Sequence, residues 1–218
     1  VTVRAVMKWI DAETRSQSSV SKTKTFLSKY WKYLQQRDYV DRDLKPFTDI
    51  ELPKTLKARQ AREAYTDDEV ALLLDQLQLK QDDALTAITT LAMYTGARIS
   101  ELAGLTLESV TSLDDITCLK IEDSKTKAGN RTVPVHPDIQ KLVQTLITNS
   151  TDGYLVSGVK SKGGKDRRAD VLGKRYGRLV RNDCKLPKSK VFHCFRNTVA
   201  TKLENAGVPE NIAADIVG

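Results

Sequence analysis

His193-Cys194-Phe195-Arg196, running on into Asn197-Thr198-Val199-Ala200-Thr201-Lys202-Leu203-Glu204-Asn205-Ala206, is the stretch on which the reading of this chain turns. Gly207 stands where a helix ends in the left-handed conformation, and Pro209 restarts a helix in its first turn, where a missing N–H costs nothing. The spacing predicts helix, stop, helix. Phe195, Val199 and Leu203 recur every four residues and form one apolar stripe for burial. His193 and Arg196 are three apart, so at about 100° per residue they project to one side, roughly 60° apart around the axis. A titratable imidazole beside a permanently charged fork suits the gripping of a phosphate and the movement of a proton near it.

Just upstream the chain is strongly basic. Residues 160–196 hold 13 Lys and Arg against 3 Asp and Glu, and residues 1–65 hold 14 against 8, whereas residues 66–123 hold 3 against 12. This segregation predicts a basic surface made from two separate regions, with a polyanion as partner. Within the first of these, residues 157–165 read as a basic loop and 168–182 as a helix. Val171, Leu172, Tyr176, Leu179 and Val180 are placed inward on that helix. Arg168 and Arg175 fall outward or on its flanks. Gly163-Gly164-Lys165 lacks the spacing of a nucleotide-binding P-loop.

The 218 residues, 40% of them apolar, suffice for one large or two modest domains. No apolar run approaches the ~20 residues of a membrane span, and no signal peptide opens the sequence, so a cytoplasmic protein is expected. Cys118, Cys184 and Cys194 contain no C-x-x-C pair and read as reduced packing residues, with no metal site.

Residues 1–60 read as a small helical unit with its linker. Val3, Val6, Met7 and Ile10 keep helical spacing, Ser16 to Ser21 is a polar break, and Thr25 to Gln36 is a second helix with Phe26, Leu27, Tyr30 and Leu34 on one side. Lys22, Lys24 and Lys29, interleaved with Tyr30, Trp31 and Tyr33, could follow a nucleic-acid backbone; the aromatics could equally be the core of the unit. From Pro46 to Ala64 apolar periodicity lapses, as expected of an interdomain linker. Thr66-Asp67-Asp68-Glu69 is a capping box that opens a second domain, 61–218, with a helix over 70–79.

In that domain Asp82 or Asp83 caps a helix whose buried stripe is Leu85, Ile88, Leu91 and Ala92. It breaks at Thr95-Gly96, leaving Arg98 at a helix junction with Glu101 three residues on to pair with it. Alternation over 117–122 and again over 131–135, around a turn containing Lys125, Lys127 and Gly129, predicts a β-hairpin. Pro137 opens a helix over 138–148, and His136 reads as a loop residue. The fold class is mostly α with a small antiparallel β-sheet.

Thr95-Gly96-Ala97-Arg98-Ile99-Ser100-Glu101-Leu102, then Ser124-Lys125-Thr126 with Arg131-Thr132-Val133-Pro134-Val135, then His193-x-x-Arg196, together resemble the tyrosine recombinases, or phage integrases. The resemblance covers residues 66–218 well and reaches residues 1–60 only as a helical core-binding domain. It implies an α+β catalytic domain that cuts and rejoins DNA through a 3′-phosphotyrosine, without a cofactor. By family position Arg98 and Arg196 clamp the phosphate, Lys125 protonates the leaving 5′-oxygen with Lys127 as the fallback, and His193 assists. Glu101 supports Arg98. Lys22, Lys24, Lys29, Lys127, Arg131, Lys162, Lys165, Arg168 and Arg175 are the expected DNA contacts. The resemblance also implies a tetramer on a double-stranded recombination site, with accessory DNA-bending proteins.

Two departures stand out. The family's nucleophile lies past a Gly-His or Gly-Trp pair, and none of the seven tyrosines follows the His193-x-x-Arg196 helix. The 218 residues are thus expected to bind DNA without cleaving it. Asn197 stands where the family often has histidine, with little expected consequence. A relaxing enzyme of the type IB topoisomerase kind and a noncatalytic DNA-binding regulator are the rival readings.

Overall fold

The structure, a computed structural model, describes residues 1–53, 63–122, 130–161 and 165–218. The chain forms two compact units, Val1–Ala61 and Arg62–Gly218.

The first unit pairs α1 (Val3–Asp11) with α2 (Gln17–Gln36). Thr2 and Ser16 cap them by accepting the N–H of Ala5 and Ser19, so the polar break is shorter than expected and Ser18 to Ser21 already belong to α2. Val6, Ile10, Val20, Trp31, Phe47 and Ile50 form its core. Phe26 and Tyr30 are exposed, contrary to the sequence expectation. Val20, Leu27, Trp31 and Leu34 make an equally regular stripe, and Phe47 packs edge-on against Trp31 at 6.2 Å, which settles which stripe is covered. The Trp31 indole also donates to the Leu44 carbonyl at 2.9 Å. The expected linker therefore starts too early, since Phe47 and Ile50 belong to this core. The rest of it, 54–62, lies outside the described residues.

The second unit is organised around α4 (Asp83–Thr95), whose Leu85, Ile88, Leu91 and Ala92 are all fully buried. Asp82 caps it by accepting the Leu85 N–H. The preceding α3 (Asp67–Lys80) has the complete Thr66/Glu69 capping box. After the short α5 (Ile99–Gly104) comes a three-stranded antiparallel sheet in the order β1 (Val110–Leu113), β2 (Ile116–Ile121), β3 (Arg131–Pro134). The first strand escaped the sequence reading because it is only four residues long and half of it is exposed. Leu119 faces Val110 on one side and Val133 on the other, so the buried rows of the sheet coincide.

Helix α6 (Pro137–Asn149) and α7 (Lys165–Arg178) follow, the latter ending in a π-turn over Leu179–Asp183. Then come α8 (Cys194–Asn205) and α9 (Glu210–Val217). Gly207 takes φ 75° and Pro209 is the N-cap of α9, one place earlier than expected. The three cysteines are free and buried.

The Thr89 hydroxyl, fully buried on α4, has no hydrogen-bond partner. A stranded hydroxyl costs more than the isosteric methyl that would replace it. Thr89→Val should raise stability by about 1 kcal/mol, read as a Tm higher by roughly 2–4 °C in thermal unfolding. A lower Tm would mean that the hydroxyl is paired.

Candidate active site

The turn after α4 brings the two motif arginines together. Gly96 has φ 62°, a conformation a side chain resists, and a Cβ there would lie 3.2 Å from the Val199 Cβ and 3.5 Å from the Arg196 Cα. Glycine thus lets the α4–α5 junction press directly onto α8. Two residues later Arg98 is the N-cap of α5.

Glu101, its side chain 3% exposed, braces the junction. Its carboxylate accepts the Arg98 backbone N–H at 2.9 Å and the Arg98 guanidinium at 2.5 Å. A third donor reaches it from β3, the Arg131 guanidinium at 2.9 Å. Burial pushes the Glu101 carboxyl up, but the Arg131 hydrogen bond and those from the Arg98 backbone and side chain outweigh it, holding the carboxyl below its ordinary range.

Arg196, half-buried on α8, joins this group. Its guanidinium donates to the Val217 carbonyl at 2.5 Å, and Arg131 donates to the neighbouring Ile216 carbonyl at 2.9 Å. Burial lowers the Arg196 proton affinity, and the Arg98 charge lowers it further, with smaller effects of Glu101 and Arg131. Arg98 and Arg131 thus share the Glu101 carboxylate, and with the Arg196 charge close enough to be felt, positive charge is in excess among the described residues here. An anion entering between Arg98 and Arg196 would relieve that excess, and planar forks match a phosphate.

His193 is the N-cap of α8, half-buried, and its carbonyl accepts the Arg196 N–H at 3.2 Å. One turn of backbone thus carries both motif residues to the same end of α8. Lys125, Lys127 and Lys162 lie outside the described residues. Lys165 opens α7, with its side chain likewise outside them.

Several expected DNA contacts prove to be structural. Arg168 is 3% exposed, with its guanidinium donating to the carbonyls of Ala103, Val156 and Val159 and to Asp152 while lying 3.8 Å over the Tyr154 ring. Such an arginine is a core tie between α5 and the loop before α7 and, contrary to the sequence expectation, does not reach out to DNA. Arg175 is engaged in an ion pair with Asp82, fastening α7 to the start of α4. Arg131 points inward to Glu101. On α2, Lys22 and Lys29 are exposed, whereas the Lys24 ammonium is turned to the Ile50 carbonyl of its own unit.

Lys190 looks in the sequence like one more basic residue of this segment. Buried at 6% exposure, it donates to Glu69 at 2.7 Å and to the Ala64 carbonyl at 2.6 Å. No local pattern announces it, because its partners are more than a hundred residues away. Beside it the Tyr65 N–H donates to Thr198 on α8, and the Tyr176 hydroxyl donates to the Tyr65 hydroxyl at 2.8 Å. Burial pushes both phenols well up. Tyr94 donates to Asp138 and the Tyr154 ring lies under Arg168, so each of the four tyrosines of this unit has a partner of its own.

The sequence profile of the phage integrase family matches residues 63–218. The chain belongs to the phage integrase family. A XerC-like tyrosine recombinase of Caldanaerobacter subterraneus subsp. tengcongensis is 25% identical over 94% of this chain, and the chain spans 60% of that relative's length. The tyrosine recombinase XerD of Halalkalibacterium halodurans is 24% identical over 94% of the chain and 68% of the relative. Among solved structures, the Tn1549 transposon integrase in complex with a circular intermediate DNA superposes with a TM-score of 0.74 at 24% identity, covering all of this chain and 77% of that one. Lambda integrase, solved as a tetramer bound to a Holliday junction, gives 0.75 at 15% identity, over 63% of its chain. Both superpositions place this phage integrase chain in the same fold: helices around a small antiparallel sheet.

Proposed function

We propose that this chain is the DNA-engaging part of a site-specific recombinase that breaks and rejoins double-stranded DNA through a 3′-phosphotyrosine. The observation that carries the reading is the pairing of Arg98 and Arg131 with Glu101 at a junction that Gly96 lets press onto α8 beside Arg196, whose charge is felt there. In that reading Arg98 and Arg196 bind the two nonbridging oxygens of one phosphodiester. A tyrosine hydroxyl attacks the phosphorus, loses its proton, and takes over the 3′ phosphate; the bond to the 5′-oxygen breaks and that oxygen must be protonated as it leaves. The guanidinium groups stabilise the added negative charge of the transition state, a contribution that grows as water is excluded. In this reading His193, one helical turn before Arg196, holds the phosphate or passes a proton. Lys125 is assigned the leaving-group proton by family position alone. Rejoining is the same displacement reversed, with another strand's 5′-hydroxyl as nucleophile.

The partner is duplex DNA in the cytoplasm, with assembly as a tetramer and accessory DNA-bending proteins following from the same reading. Among the described residues no helix is long and apolar enough to cross a membrane. The test uses the natural full-length protein with a nicked suicide duplex bearing its attachment site, where a covalent protein–DNA adduct is expected. Cleavage of any supercoiled plasmid without site preference would favour a relaxing enzyme, and stable binding without adduct a regulator. Binding should also weaken steeply with salt, by about 10³-fold between 50 and 200 mM for roughly six phosphate contacts. A flat salt response would remove DNA as the partner.

A further inference from the structure

The side of α8 turned away from His193 and Arg196 is held by the first residues of the second unit. Phe195 and Thr198 are buried there. At about 100° per residue, Arg196 lies roughly 100° from Phe195 and 160° from Thr198 around the axis, and His193 roughly 160° and 140°. Tyr65 grips this hidden side: its ring packs on Phe195 with centroids 4.8 Å apart, and its N–H donates to the Thr198 hydroxyl at 2.8 Å. Thr198 in turn donates to the Cys194 carbonyl at 3.0 Å. Just before the helix the Lys190 ammonium, on a side chain 5% exposed, reaches back to the Ala64 carbonyl and Glu69 and lies 5.4 Å from the centre of the Tyr65 ring. The α4–α5 junction meets α8 on another side, at Arg196 and Val199.

We propose that Thr198 and Lys190 are positioning residues for the breakage and rejoining of DNA: with Tyr65 and Glu69 as partners they fix the rotation of α8 about its axis, and so aim Arg196 and His193 at the phosphate. The proposal rests on the recombinase reading. Apolar packing is non-directional and tolerates a helix that turns slightly, whereas a hydrogen bond weakens steeply once its angle is lost. A buried ammonium with two acceptors gains little net stability over an apolar side chain of its size; what it supplies is one arrangement in place of several. Side chains reach about 5–6 Å from a helix axis, so a turn of roughly 10° displaces the Arg196 fork by about 1 Å. A misplacement of that size can cost about a hundredfold in rate.

The experiment is single-turnover cleavage of the nicked suicide duplex by the natural full-length protein, at a temperature where circular dichroism shows the variants folded. Thr198→Val, of the same shape without the hydroxyl, should cleave about tenfold more slowly, since one of two anchors is lost. Its affinity for the uncut duplex should stay within about twofold of wild type, because no phosphate contact goes with it. Thr198→Ser, which keeps the hydroxyl, should cleave within about twofold of wild type. In an Arg196→Ala background the loss from Thr198→Val should shrink to about threefold or less, since the helix then has less to aim. Lys190→Met, which keeps a buried stem and removes the hydrogen bonds, should repeat the pattern and decides the matter should Thr198→Val not fold. A lowered Tm with cleavage at the wild-type rate, or failure of both variants to fold, would make these bonds purely structural and overturn the proposal. So would Thr198→Ser cleaving as slowly as Thr198→Val, an undiminished loss in the Arg196→Ala background, or affinity falling in step with rate. Absence of any adduct from wild type would instead overturn the recombinase reading, and this proposal with it.

Discussion

Arg196→Ala in the natural full-length protein is expected to lower the rate of covalent adduct formation by about 10²–10³-fold, the usual consequence of losing one charged donor to a developing oxyanion. Affinity for the uncut site should fall far less, because one phosphate contact among many is lost. Arg196→Lys should recover little of the rate, since an ammonium cannot present the planar fork that grips two oxygens together. The measurement is single-turnover cleavage of a suicide duplex alongside binding to the same duplex. An Arg196→Ala protein that cleaves as fast as wild type would show that the arginine group serves the fold alone.

Glu101→Ala is expected to destabilise the second unit by about 3 kcal/mol, because it breaks a buried ion pair by taking the carboxylate from Arg131, whose side chain is 6% exposed. The Arg98 arm of the pair is 39% exposed and adds little to that figure, being screened by water. The same pair makes stability depend on pH. The folded carboxyl is held below its ordinary value of 4.5, so its contribution is complete above pH 4.5 and is lost as pH falls through the lower folded value. Thermal unfolding of wild type and Glu101→Ala should therefore differ widely at pH 7 and converge progressively below pH 4.5. A difference that stays constant down to pH 3 would place the stabilisation elsewhere.

These two residues also mark how far a sequence carries. The Arg98–Glu101 pair was readable because it is local: three residues apart at a helix start, the two must be neighbours. Thr66 with Glu69, Asp82 before α4 and Pro137 at the start of α6 were readable for the same reason. The hairpin strands followed from alternation, while β1, short and half exposed, produced no pattern. On α2 the spacing admitted two apolar stripes, and only the arrival of Phe47 decided between them.

Basic residues were the least legible. Arg168, Arg175 and Arg131 look alike in a charged segment, yet each is tied to a distant partner: Ala103, Asp82 and Glu101. Lysine and arginine normally stay in water, so burial is the exception, and it depends on whether a carbonyl or carboxylate arrives from elsewhere in the chain.

By itself the sequence determined where most helices begin and end and that Glu101 could pair with Arg98, since caps, stripes and i, i+3 pairs are settled within a few residues. The tertiary structure alone decided that Arg98 and Arg196 share one charge cluster and that Arg168 does not reach solvent. Those outcomes depend on contacts between segments tens of residues apart, such as Gly96 against α8, where close packing and charge neutralisation act only once the chain has folded.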